Sequence, residues 1–204
     1  MLRRRPLPIL LALASVVPVL ARADSGPVEV AKKLNAGLEG VLRDSAKLDY
    51  QARFQRLAPL LGEVFDFQFM ASQAVGKQWD DLSSEDRQRW VEAFRDLTDA
   101  TYASRFNHYS GQTFDILGEE EAGHDTVVVR SHVVDPGGEN VDLSYRMRQI
   151  DGRWKVIDVY LKGSVSEIAL RRSEYATVLK RDGFEALLAA VKQKVAELAS
   201  GTAQ

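Results

Sequence analysis

The chain has 204 residues, of which 45% are apolar, 27% charged and none cysteine. That suits one ordinary domain with its own core and argues against a disordered segment. The absence of thiols excludes disulfides, an Fe–S cluster, a cysteine zinc site and a thiol nucleophile.

Residues 1–23 read as an export signal. Arg3, Arg4 and Arg5 precede an uncharged apolar run from Pro6 to Leu20, and Ala21-Arg22-Ala23 has the A-x-A form of a cleavage site. The run is short for a bilayer span, which sets cleavage ahead of an uncleaved anchor. A single domain is expected over 24–200, located in the periplasm. Four of the 27 basic residues and none of the 29 acidic ones lie in the first 23 positions, so the remainder carries 23 basic against 29 acidic residues, net −6. An acidic domain suits neither nucleic acid nor an anionic lipid surface, and is expected to dock on proteins.

Helices come first. Ser25 is placed to cap a helix carrying Val30, Leu34, Leu38, Val41 and Leu42 at helical spacing. Asp49 caps a second, with Leu57, Leu61 and Val64 inward, and Pro59 should kink or interrupt it. Asp66 opens a short aromatic helix, Phe67 to Val75, stopped by Gly76. Ser83 caps a long helix to about Phe106, with Glu85 and Asp86 in the turn that the helix dipole favours for acids.

From Gly111 the period changes from helical to alternating. Gln112 to Leu117 reads as a short strand, Glu119 to Gly123 as a turn, and Thr126 to Val134 as a strand. Asp135-Pro136-Gly137-Gly138 is turn chemistry. Val141 to Leu161 reads as a hairpin around Asp151-Gly152, since a type I′ turn needs φ > 0 at both central positions. A strict two-residue register then sets Met147 opposite Val156, Tyr145 opposite Asp158 and Leu143 opposite Tyr160. Ser164 or Ser166 caps a returning helix with Ile168, Tyr175, Val178 and Leu179 inward. Gly183 ends it, and Phe184 to Leu198 forms a last amphipathic helix. The class is α+β: helices, a four-stranded antiparallel meander, then helices.

No motif announces chemistry. His108, His124 and His132 lie apart, outside any metal-binding spacing, and neither a metal nor a cofactor is expected. No nucleophile elbow, phosphate loop or dinucleotide fingerprint is present. Asp158, placed by the register on the apolar face, has two readings. It is a general base or headgroup contact, or a structural acceptor for Tyr145, Arg171 or Arg172. A surplus of large apolar side chains, Phe65, Trp79, Trp90 and Trp154 among them, is aimed at one interior.

Three segments together resemble a known family: FDFQFMASQAVGKQW (65–79), SSEDRQRWVEAFRDLTDATYASRF (83–106), and the run from Gly152 to Lys194 containing GRWKVIDVYLKGSVSEIALRRSEY. They are similar to the MlaC family of periplasmic lipid carriers, also called the toluene-tolerance family. SVSEIALRRSEY resembles its hopanoid-associated HpnM branch. The resemblance implies a curved sheet wrapped by N- and C-terminal helices, NTF2-like or cystatin-like. It implies an apolar cavity for a phospholipid or hopanoid, and a monomeric, non-enzymatic carrier. Such a carrier moves lipid between an outer-membrane complex and an inner-membrane ABC transporter of the MCE type. By position the cavity would be lined by Phe69, Met70, Phe94, Leu97, Tyr102 and Phe106 from helices. From the sheet it would take Val129, Leu143, Tyr145, Met147, Val156 and Tyr160. Two alternatives stand beside this: an NTF2-like acid/base enzyme using Asp158, and an interaction subunit with a solid core.

Overall fold

The computed structural model describes residues 26–202. The export signal and the Ser25 cap fall outside the described residues. The first helix, α1 (Pro27–Arg43), starts from Gly26 with proline in its first turn. A 3₁₀ turn at Ser45–Lys47 leads to α2 (Tyr50–Val64), whose first turn is closed by Asp49 accepting from the Ala52 amide. Helix α2 runs on through Pro59 without a break. The burial of Leu57, Leu61 and Val64 holds it in register against the loss of one backbone hydrogen bond.

Asp66 caps α3 (Phe67–Val75) by accepting from the Phe69 amide, and Gly76 ends it at φ 62°. A single turn, α4 (Gln78–Asp81), joins it to α5 (Ser84–Arg105), capped by Ser83. Trp90 of α5 is fully buried, and its indole N–H donates to the Ala71 carbonyl at 2.9 Å. Its ring meets Tyr175 edge-on at 5.3 Å, so one side chain ties α5 to both neighbouring helices.

The sheet has five strands in the order β1 (Thr113–Glu121), β2 (Thr126–Val134), β3 (Val141–Ile150), β4 (Arg153–Leu161) and β5 (Val165–Ser166), all antiparallel. The fifth, of two residues, adds to the four expected. Glu119 to Glu121 belong to β1, opposite Val129 to Val127, and the turn begins after them. A bulge at Leu117 and Gly118 bends that edge. The final helix, α6 (Glu167–Ser200), is capped by Ser166 and broken at Gly183, whose φ is 83°.

The central hairpin has the expected turn, with φ of 48° at Asp151 and 75° at Gly152. Met147 pairs with Val156 as the count requires. Beyond that pair the register shifts. Ile157 is an extra residue on β4, so that Arg146 faces Asp158, Tyr145 faces Val159, Ser144 faces Tyr160 and Leu143 faces Leu161. The expected pairs Tyr145–Asp158 and Leu143–Tyr160 are corrected. The shift has a tertiary cause: the α2–α3 junction lies along β4 there, and the Asp66 amide donates to the Val156 carbonyl at 2.9 Å. Val159 and Leu161 therefore join the inner face, and Asp158 and Tyr160 turn to the outer one.

The sheet packs against α1, α2, α3 and α6. Tyr145 and Met147 are fully buried there, with Leu34, Leu38, Leu57 and Leu61 across from them.

Candidate functional site: an apolar cavity closed by one charged pole

A cavity of about 320 Å³ lies between the C-terminal half of α5, the ends of β3 and β4, and the start of α6. This is near the lower end of the about 300–1,000 Å³ usual for ligand sites. Its aromatic wall is a chain of rings, Phe65 edge-on to Tyr102 at 5.8 Å and Tyr102 stacked on Phe106 at 5.6 Å, with Phe114 behind Phe106 at 6.3 Å. Thr98 and Thr101 also line it, but their hydroxyls donate to the carbonyls of Phe94 and Leu97 one turn back. Spent in this way on their own helix, they leave a nearly apolar wall.

The charged groups gather at one end. Glu167, at the start of α6, lies 3.4 Å from Arg105 on α5 and 3.7 Å from Arg171 on its own helix. Arg171 is mostly buried, donates to the Tyr175 hydroxyl at 3.1 Å and lies over the Phe94 ring at 5.8 Å. Two guanidiniums thus share one carboxylate at this pole, and a second carboxylate, Asp135, also lines the cavity. Arg105, His108 and Val141 are exposed around it, which marks this end as the mouth. Burial, with Glu167 nearby, pushes the Tyr102 phenol above its ordinary range.

Of the twelve residues expected to line a site, Met70, Phe94, Tyr102, Phe106 and Leu143 lie on this cavity. Val129, Tyr145, Met147, Val156 and Leu97 are buried in the core and are not among its lining residues. Phe69 and Tyr160 line a separate groove beyond β4. Sequence reasoning missed Leu42, Val133, Val159, Leu161 and Ile168, together with the Arg105–Glu167–Arg171 pole. Val159 and Leu161 were hidden by the bulge.

Asp158 is not in the cavity. It accepts from the Ser166 hydroxyl at 2.6 Å, the Val159 amide at 2.8 Å and the Ile168 amide at 3.2 Å. Neither Tyr145 nor an arginine of α6 is its partner; the Tyr145 hydroxyl donates to Asn35 at 2.6 Å instead. Burial raises the Asp158 pKa, and the three donors pull it back. Among the described residues no group of three or more metal-ligating side chains forms, and no helix is long and apolar enough to cross a membrane.

An α+β shell around a largely apolar cavity with two guanidiniums at one end defines a binding protein for an amphiphile. The family model described as MlaC protein matches residues 33–193, and the chain belongs to that family. It is 24% identical over 136 residues to the intermembrane phospholipid transport system binding protein MlaC of Haemophilus influenzae. That alignment takes in 65% of this chain and 63% of the relative, so the match spans less than two thirds of the relative's length. A solved phospholipid-binding protein from Ralstonia solanacearum, in complex with a phospholipid, superposes with a TM-score of 0.74 and 28% identity. That match covers 87% of this chain and 99% of the other.

Proposed function

We propose that this chain is a periplasmic phospholipid carrier. It would hold acyl chains in the cavity between α5, α6 and the sheet, with the phosphate at the Arg105–Arg171 end, and pass lipid between membrane complexes. The observation that supports this most is the pairing of an apolar wall with two guanidiniums, Arg105 and Arg171, at its charged end. A phospholipid has the matching division, whereas a hopanoid without a charged head would leave the pole unanswered. Each methylene transferred from water to the cavity contributes about 0.8 kcal/mol, so part of one chain suffices for tight retention. Release then requires the cavity to open.

The Ralstonia relative with its bound phospholipid supports this choice of ligand. A catalytic Asp158 is the weaker reading, because both its oxygens are already engaged by Ser166 and backbone amides, away from the cavity. The cavity volume likewise counts against a solid-core subunit. Native mass spectrometry of the mature protein, purified without detergent, is expected to show one phospholipid per chain. A chain that stays empty after incubation with phospholipid vesicles would overturn the proposal.

A further inference from the structure

A second concave feature of about 460 Å³ lies on the outer side of β4, separated from the lipid cavity by Ile168. Its floor is Arg146, Asp158 and Tyr160 on the sheet, and one wall is Phe69 and Gln73 of α3 with Arg172 of α6. Arg148 completes it, with its guanidinium 4.0 Å above the Phe69 ring, and His124 stands at its rim.

The charges here do not cancel. Arg148 is paired with Asp66 at 2.8 Å, and Asp158, held by Ser166 and two amides, faces Arg146 across the strand pair. Arg146 donates only to the Thr126 hydroxyl at 3.1 Å, and Arg172 only to the carbonyl and side chain of Gln73. Neither has a carboxylate within 4.0 Å among the described residues. Arg148 Nε is buried with no hydrogen-bond partner. Three guanidiniums, Arg146, Arg148 and Arg172, against two carboxylates, Asp66 and Asp158, leave a net positive charge beside an aromatic platform, on a chain that is net −6 beyond its first 23 residues. A guanidinium presents a planar fork matched to an oxyanion.

We infer that this groove is a docking site for an acidic peptide segment of a partner protein, with carboxylates on Arg146 and Arg172 and an apolar side chain against Phe69. A peptide fits better than a membrane surface. The feature is recessed between α3, α6 and the sheet, out of reach of a flat bilayer, and the acidic body around it would be repelled by anionic lipid. The inference stands whatever the cavity holds.

The test uses the full mature chain and a fluorescein-labelled hexaglutamate peptide, read by anisotropy at low salt. Binding is expected with a Kd on the order of 100 μM, weakening as salt is raised. Arg146→Gln should weaken it about tenfold, and Phe69→Ser should also weaken it, while Arg181→Gln, outside the groove further along α6, should not. Arg146→Gln removes one bond to Thr126, so an unchanged melting curve and unchanged lipid occupancy show that the loss is local. Three results would overturn the inference. These are a parent that ignores the peptide, equal weakening by Arg146→Gln and Arg181→Gln, and a parent that binds phosphatidylglycerol vesicles through Arg146 and not the peptide.

Discussion

The hydroxyl of Ser166 donates to Asp158 at 2.6 Å and accepts the amide of Ala169 at 2.9 Å. One small side chain thereby closes the first turn of α6 and fixes that turn to β4. The carboxylate completes the joint by receiving the Ile168 amide. Ser166→Ala removes the cap and leaves Asp158 short of a donor, and should cost about 1–3 kcal/mol in urea unfolding. Because that turn also carries Glu167 and Ile168 to the cavity, lipid occupancy of the folded variant reports whether the joint positions that wall.

A second buried relay crosses the core. Tyr145 donates to Asn35 Oδ1 at 2.6 Å, and Asn35 Nδ2 donates to the Ser131 hydroxyl at 3.1 Å. Asn35→Leu strands both neighbours and should destabilise by about 2–4 kcal/mol. Adding Tyr145→Phe to that variant should recover part of the loss, because the stranded donor is then gone. A double-mutant cycle by urea unfolding measures the coupling. Additive losses would mean that the relay contributes nothing of its own.

The caps were legible because they are local. Asp49, Asp66 and Ser83 each sit three residues before the amide they accept from. The turn of the hairpin was legible for the same reason, since Asp-Gly states its own backbone angles. The facing of β4 was not, because it depends on Phe65 and Asp66 arriving at the strand from ninety residues upstream. One inserted residue there reversed every side chain that follows, which moved Tyr160 out of the expected lining and brought Val159 and Leu161 in. The charged pole was hidden differently: Arg105, Glu167 and Arg171 read as ordinary helix-end charges until α5 and α6 are set side by side.

Asp99 carries a pH dependence. Its side chain is 3% exposed in α5, Oδ1 has no hydrogen-bond partner, and Arg95 stands 3.6 Å from Oδ2. Burial pushes its pKa to about 7 against the attraction of Arg95. A carboxyl whose pKa is raised on folding binds its proton more tightly when folded. Its contribution to stability is therefore complete below about pH 4 and is lost as pH rises to about 7. Asp99→Asn should remove that slope. It should be about 1–4 kcal/mol more stable than the parent at pH 8 and little different at pH 4, as measured by urea titration at each pH.

Arg171 tests the proposed headgroup end. Replacing it with Met keeps much of the stem that covers Phe94 and removes the charge. Phospholipid retention should fall about tenfold, roughly 1.4 kcal/mol, in a competition assay with vesicles. Retention of an uncharged diacylglycerol should hardly change. Equal losses for both lipids would show that Arg171 matters through packing and that the phosphate lies elsewhere.

Leu161 and Tyr160 are neighbours on β4 that point to opposite faces, Leu161 into the cavity and Tyr160 into the outer groove. This pair separates the cavity from everything else on the molecule. Leu161→Trp places a larger ring among Leu143, Phe106 and Ile168, where it competes with the lipid for the same volume. Tyr160→Trp makes a smaller change of the same kind on the far side of the sheet. Both positions are only partly buried, so overpacking strain should stay within about 1–3 kcal/mol and both variants should fold. Native mass spectrometry should then show lipid occupancy reduced severalfold in Leu161→Trp and unchanged in Tyr160→Trp. The reverse order would return β4 to the unbulged register and move the lipid to the outer face. Equal occupancy in both would mean that the bound lipid does not use this end of the cavity.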